Sequence, residues 1–335
     1  MAPVVTEITT PVPETEFGRL RDHLPQSLPL LRRIQFTHFP QGTTEHARYL
    51  IATDSDGSID SGEGQAQQPP PPPPPSKHHF AACYLDLSKG PETEMYLYTT
   101  LEDAPDPSAL PDSEVERVLD LAVSLLRRGK LAAEEALRPG APFKLARGPG
   151  GFLVGGLHQP TYELLCARRG LTSSYWNPHD AWLFRLERLP PAQPSSSAAA
   201  GGGPPGAHEG LRWDVVRRED VPLIASRTYI PKIEATLMSE PSVAVRDAEG
   251  TLVAWGFVGV AGTLSTLHVE EPYRGKGMAK AVATKVLREH SFGDDGWGSA
   301  DVHVDNAQSQ GVCKALGGEK GWKNCWTVVD LDSIP

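Results

Sequence analysis

The chain has 335 residues, 39% of them hydrophobic and 22% charged, with 42 Asp and Glu against 32 Lys and Arg and a formal net charge of −10. At about 150 residues per domain this length holds roughly two domains, each large enough for its own core. The acidic balance excludes a general binder of nucleic acid or anionic membrane, because such surfaces need clustered positive charge to displace counterions.

Met1 to Phe17 is acidic and Pro-rich with no basic segment leading into an apolar core. No later run approaches the ~18 apolar residues of a membrane span, so a cytoplasmic location is expected. The segments Arg33 to His38, Arg48 to Thr53, Phe80 to Leu87 and Glu94 to Leu101 have the β-branched and aromatic character of strands and predict one mixed sheet. Residues 54 to 77 interrupt them with an acidic Gly/Ser-rich insert that ends in seven prolines, Pro69 to Pro75. This insert reads as a disordered loop, although a polyproline run is also a possible docking site for a proline-binding partner. His78 and His79 beside it read as solvated. Ser113 to Leu137 follows as a helix with Ser113 as N-cap and Glu116 closing a capping box. A helix over Gly156 to Leu165 and a strand over Ala181 to Leu189 complete residues 1 to 189.

Residues 190 to 210, mostly Pro, Ser, Ala and Gly, have almost no side chain with which to order a backbone and predict an interdomain linker. A second domain, residues 211 to 335, then reads as strand (Leu211 to Val216), helix from near Pro222 capped by Asp220, and a hairpin of Ser242 to Arg246 with Leu252 to Val260. Strand Thr263 to Glu270, a basic turn, helix Met278 to His290, strand Ala300 to Asp305, helix Ala307 to Leu316 and strand Trp322 to Leu331 follow. The class is α+β with mixed sheets. Cys83, Cys166, Cys313 and Cys325 show neither C-x-x-C spacing nor His partners at zinc-finger distances, so neither a metal site nor a disulfide framework is expected.

The informative stretch is Arg274-Gly275-Lys276-Gly277-Met278-Ala279, where a strand ends and a helix begins. Unpaired N–H groups in a first helical turn, the positive end of the helix dipole and glycines that tolerate close approach together make a phosphate site. From Pro272 to Arg288 there are five cations, Arg274, Lys276, Lys280, Lys285 and Arg288, and no acid. The spacing fits neither a dinucleotide fingerprint nor a Walker loop.

This segment resembles the acyl-CoA pyrophosphate loop of the GNAT superfamily, [Q/R]-x-x-G-x-[G/A], matched by Arg274, Gly277 and Ala279. Leu267 to Tyr273 before it and Val302 to Gly317 after it resemble the neighbouring elements of that family. Trp255-Gly256-Phe257 leading to a Tyr-Arg-Gly-Lys-Gly turn is similar to the glycine N-acyltransferase-like, or FR47-like, branch. The resemblance covers Leu211 to Leu331 and implies a C-terminal GNAT fold whose fourth and fifth strands splay apart. Members of that branch often carry an N-terminal half that is a degenerate copy of the fold, which residues 30 to 189 would supply.

The resemblance implies an N-acyltransferase with acyl-CoA, most simply acetyl-CoA, as co-substrate and an amine or amino acid as acceptor. Leu267 and Val269 would pair with the pantetheine amides, and the Val269 N–H would face the thioester carbonyl. Gly275, Lys276, Gly277, Met278 and Ala279 would cradle the pyrophosphate beside Arg274. Asn306 and Ser309 would contact pantetheine, Asn306 also being a plain N-cap. The family's base position falls on Thr263, which cannot act as one. Strand alternation puts Thr266, His268 and Glu270 on one face and Asp301, His303 and Asp305 on another. The base is therefore sought first at Glu270, then at His268, with His303 a further possibility. Cys313 stands where the family places its tyrosine acid, and core packing is the competing reading for it. Two rivals remain: a CoA-binding module without turnover, and a scaffold that recruits partners through Pro69 to Pro75.

Overall fold

The computed structural model describes residues 2–54, 79–191, 204 and 210–335. The polyproline run Pro69 to Pro75, His78 and most of the expected linker lie outside the described residues.

The first half contains β1 (Val4–Thr9), α1 (Phe17–Arg21), α2 (Leu28–Gln35), β2 (Arg48–Thr53), β3 (Phe80–Leu85), β4 (Met95–Thr99), α3 (Asp112–Ala136), β5 (Gly151–His158), α4 (Gln159–Arg169) and β6 (Ser173–Arg185). The second contains β7 (Arg212–Asp214), α5 (Val221–Ser226), α6 (Glu234–Ser239), β8 (Ser242–Arg246), β9 (Leu252–Val258), β10 (Leu264–Val269), α7 (Met278–His290), β11 (Trp297–His303), α8 (Ala307–Ala315) and β12 (Glu319–Asp330). The order is the same in both halves, strand, two helices, three strands, helix, strand, helix, strand, which is the repeat the resemblance implies.

Eight strands form one sheet in the order β1-β2-β3-β4-β5-β12-β6-β11, and four form a second, β10-β9-β8-β7. The last strand of each half is exchanged: β6 pairs with β11, while β12 pairs with β5 as well as with β6. Apolar residues line both faces of the sheets. Leu119, Leu126 and their neighbours on α3 pack with Phe152 and Val154, while Leu31 and Ile34 of α2 cover Tyr49 and Tyr84 on the other face. In the second half Val282 and Leu287 of α7 pack on Val253 and Val269, and Ile224 and Leu237 of α5 and α6 on Trp255 and Phe257.

The two halves differ where it matters. In the first, β4 and β5 are joined as parallel neighbours at Met95–Val154 and Tyr96–Gly155. Glu94 tightens this junction, its N–H donating to the Leu153 carbonyl and its carboxylate accepting from the Leu153 N–H at 2.7 Å. In the second, β10 and β11 touch through a single bridge, Thr263 beside Ser299, and then part. This is the splayed pair expected of the fold.

Several local expectations are corrected. Arg33 to His38 is not a strand but the end of α2 and a following 3-10 turn, because Leu30, Leu31 and Ile34 form a helical face buried against the sheet. Ser113 does not cap α3: the helix opens after Pro111 without a side-chain cap, and Glu116 accepts from Arg168 and Arg169 instead. Gly156 belongs to β5, and the helix begins at Gln159. The strand expected over Ala181 to Leu189 starts earlier, at Ser173, because the exchange gives it partners on both sides. Asp220 does not cap α5 through its side chain but accepts from the Arg217 N–H at 2.7 Å and from Arg246 at 2.6 Å. His79 is largely covered, 3.7 Å from Glu114, rather than solvated.

Candidate functional site

The turn between β10 and α7 has the shape an anion needs. Gly275 and Gly277 hold φ of 77° and 79°, the left-handed region that a residue with Cβ resists. A Cβ at either would meet no atom within 4 Å, so the space over the turn is open to a ligand group. α7 starts from Gly277 with no side-chain cap, leaving its first-turn N–H groups without side-chain acceptors. Arg274 donates from Nε to the Val269 carbonyl at 2.8 Å, tying the turn to the end of β10. Met278 is buried and anchors the helix in the core, while Ala279 packs against the same cluster. Two cations of the basic island are used for packing: Lys285 pairs with Glu289 and stands 5.4 Å over Trp213, and Arg288 donates to the Leu189 carbonyl. The charge nearest the turn therefore comes from Arg274, Lys276 and Lys280.

β10 is not a regular strand. Ser265 pairs with Phe257 and His268 with Trp255, so Thr266 and Leu267 together oppose one residue of β9. Thr266 has φ of 51°, a costly conformation for a β-branched residue and one that bulges favour beside functional sites. Thr266, His268 and Glu270 share the α5–α6 face as expected, and the bulge adds Ser265 to it, Thr266 facing Ala225 and Leu237, His268 the Trp255 ring and Glu270 the Arg227 guanidinium. Leu267 and Val269 pack toward α7. The Glu270 N–H donates to Val253 of β9 at 2.9 Å, so by alternation the Val269 N–H faces away from β9, toward the gap beside β11.

His268 stacks on the buried Trp255 ring, with centroids 4.7 Å apart and planes 24° apart. Its Nε2 is buried, has no hydrogen-bond partner and lies 3.7 Å from Glu270. Burial lowers its pKa below the usual 6.5, so the ring is neutral at pH 7. Glu270 is already engaged, accepting from Arg227 Nε at 2.9 Å. His303 sits farther along β11, edge-on to His179 at 5.5 Å, with Nδ1 accepting from the Asp305 N–H. Asn306 caps α8, its Oδ1 accepting from the Ser309 N–H at 3.0 Å, and the two residues open the helix next to β11.

Cys313 is 2% exposed within the α7–α8 core, and burial pushes its thiol up to about 12. Sequence reasoning gave no role to Asp301, although its alternation with His303 was visible. It stands two residues beyond the Thr263–Ser299 bridge, accepts from Asn324 Nδ2 at 2.6 Å and is raised by burial to about 6. All four cysteines are free, and no helix among the described residues is long and apolar enough to cross a membrane.

Residues 5–182, more than half of the chain, match the family model described as the acyl-CoA N-acyltransferase verG N-terminal domain. The chain belongs to the verG-type acyl-CoA N-acyltransferases. Residues 244–327 of this acyltransferase-family chain match the FR47-like protein model, the branch whose turn and strands were recognised in the sequence. No curated protein matches the chain. Among solved structures it is similar to a Drosophila protein at 15% identity, covering 98% of this chain and 99% of that one with a TM-score of 0.59. A GCN5-related N-acetyltransferase from Sphaerobacter thermophilus is similar at 13% identity, covering 98% and 96% with a TM-score of 0.51. At these identities the two structures establish the shared fold, a GNAT fold over both halves of the acyltransferase. The family name implies acyl-CoA as co-substrate and an acceptor to receive the acyl group.

Proposed function

We propose that the chain transfers an acyl group, most simply acetyl, from acyl-CoA to the amine of a small molecule by direct transfer in a ternary complex. The observation that carries this reading is the difference between the halves: β4 and β5 are joined, whereas β10 and β11 part directly beside an open, uncapped, basic turn. Residues Gly275 to Ala279 would hold the pyrophosphate, with Arg274 and Lys276 supplying charge. Leu267 and Val269 would pair with the pantetheine arm, and Asn306 and Ser309 would border it. Acyl-CoA supplies an acyl group already activated as a thioester. The Val269 N–H faces the position where its carbonyl oxygen gains charge.

The amine nitrogen bonds to the thioester carbonyl carbon, the C–S bond breaks with CoA leaving as its thiolate, and His268 takes the proton that the amine gives up. A neutral imidazole can accept it, and the Glu270 carboxylate, 3.7 Å from the buried Nε2, stabilises the cation that results. Glu270 itself is held by Arg227, so this reading places it as the orienting group. Cys313 serves packing, its buried thiol having no open side from which to donate. The test is thiol release from acetyl-CoA over a panel of amines, with CoA affinity measured separately. Tight CoA binding with no thiol release on any amine would instead favour the module without turnover.

A further inference from the structure

Under the loop that joins α5 to α6 lies a cavity of about 140 Å³ lined by residues 228–232 of the loop together with Ala225, Leu237 and Thr266. Thr266 is the bulge of β10, so the cavity opens at the same point of the strand as His268 and on the same face. Most of its lining is apolar, with polar atoms from the threonines and Lys232. Lys232, the one cation among them, is neutralised: Nζ donates to both Glu240 oxygens at 2.6 and 2.5 Å and to Ser265 Oγ at 3.1 Å. The two threonine hydroxyls are engaged locally, Thr228 Oγ1 accepting from the Ile230 N–H and Thr266 Oγ1 meeting Ser265 Oγ at 3.2 Å. Tyr229 is 78% exposed and Ile230 47%, so a large apolar rim stands in water at the mouth.

We propose that this cavity receives the hydrophobic substituent of the acceptor, which is therefore a primary amine carrying one compact aryl or branched alkyl group. The inference rests on the acyltransferase reading above and names its substrate class. The size fits: an apolar cavity of about 150 Å³ takes a benzene ring. The chemistry fits as well, because a polyamine or an amino sugar would bring several charges or hydroxyls to a lining that is mostly apolar and whose one cation is already paired, and most of them would lose their hydration there. Tyr229 then covers the ring and excludes water from the reacting amine.

The test compares phenethylamine and isoamylamine with spermidine and glucosamine as acceptors for the full chain with acetyl-CoA, read by thiol release. The expected kcat/KM for the two compact apolar amines is at least about tenfold higher than for the others. Leu237→Trp, which fills the cavity, raises KM for phenethylamine by about tenfold without changing CoA affinity by calorimetry. Tyr229→Ala, at an exposed position that folding does not need, moves KM in the same direction. Preference for spermidine or glucosamine, or no turnover of either apolar amine while CoA still binds, overturns the acceptor class and leaves the cofactor site standing. Failure of the chain to bind CoA overturns the acyltransferase reading itself.

Discussion

Arg32 and Asp295, 263 residues apart, form a two-pronged ion pair in which Nη1 donates to Oδ2 at 2.8 Å and Nη2 to Oδ1 at 2.5 Å. Arg32 lies on α2 of the first half and is 2% exposed, and Nη2 also reaches the Trp297 carbonyl at 3.2 Å. Its side chain passes between Gly262 and Gly293, where a Cβ would come within 2.5 and 2.1 Å of it. Gly262 immediately precedes Thr263 and Trp297 opens β11, so the first half grips the closed end of the gap between β10 and β11. The half whose own gap is closed thus braces the end of the other gap at which the strands still touch.

Breaking this grip is expected to cost much of the stability. Arg32→Met leaves Asp295 nearly buried and unpaired, a loss of about 3–5 kcal/mol, whereas adding Asp295→Leu removes the stranded charge and recovers most of it. Denaturant unfolding of the single and double variants measures the difference; equal losses in both would mean that the pair does not bind the halves together.

At the turn, Gly277→Glu adds a side chain at φ 79° and a negative charge where a diphosphate approaches. CoA affinity should fall by at least about tenfold with the fold intact. Calorimetry at unchanged circular dichroism decides it, and unaltered binding would remove the turn from the site.

His268→Gln should lower kcat by about 10²–10⁴ while CoA affinity stays the same. Because burial lowers the His268 pKa, the neutral form that accepts a proton persists below pH 6.5, and the acidic limb of kcat/KM lies below that value and not above it. In Glu270→Gln the cation formed on His268 loses its nearest carboxylate, so the limb moves further to acid. A limb unmoved by that change would separate the two residues.

Asp301 has the opposite signature. Its folded pKa is raised from 3.8 to about 6, so folding favours the protonated form. Its contribution to stability is present below pH 3.8, fades as pH rises toward 6, and is gone above it. Asp301→Asn should therefore stabilise the chain more at about pH 7.5 than at about pH 4.5, as thermal melts at the two values would show. A gain independent of pH would place its burial penalty elsewhere.

Much of the second half was legible because its signals are local. Two glycines and two cations at a strand-to-helix junction need no distant partner to be recognised, and Asn306 marks its helix by a side chain that reaches three residues ahead. The limits of α7 and the pairing of β8 with β9 follow from short-range periodicity and a tight turn. The bulge at Thr266 carried no comparable signal: β-branched and aromatic character supports a strand with or without an extra residue, yet that residue changes which side chains share a face. The partner that engages Glu270, Arg227, likewise comes from another element and left no signal beside it in the sequence.

The sequence by itself determined the family of the second half, the order of its elements from β8 onward and the position of the glycine-rich basic turn, since each depends on residue types at fixed short spacings. The tertiary structure alone decided the exchange of β6 and β12, the closing of one gap and the opening of the other, the burial of Cys313 and the half-burial of Asp301 and His268. Those are outcomes of long-range packing: a strand selects its neighbours, and a titratable group its charge, by what the rest of the chain brings against it.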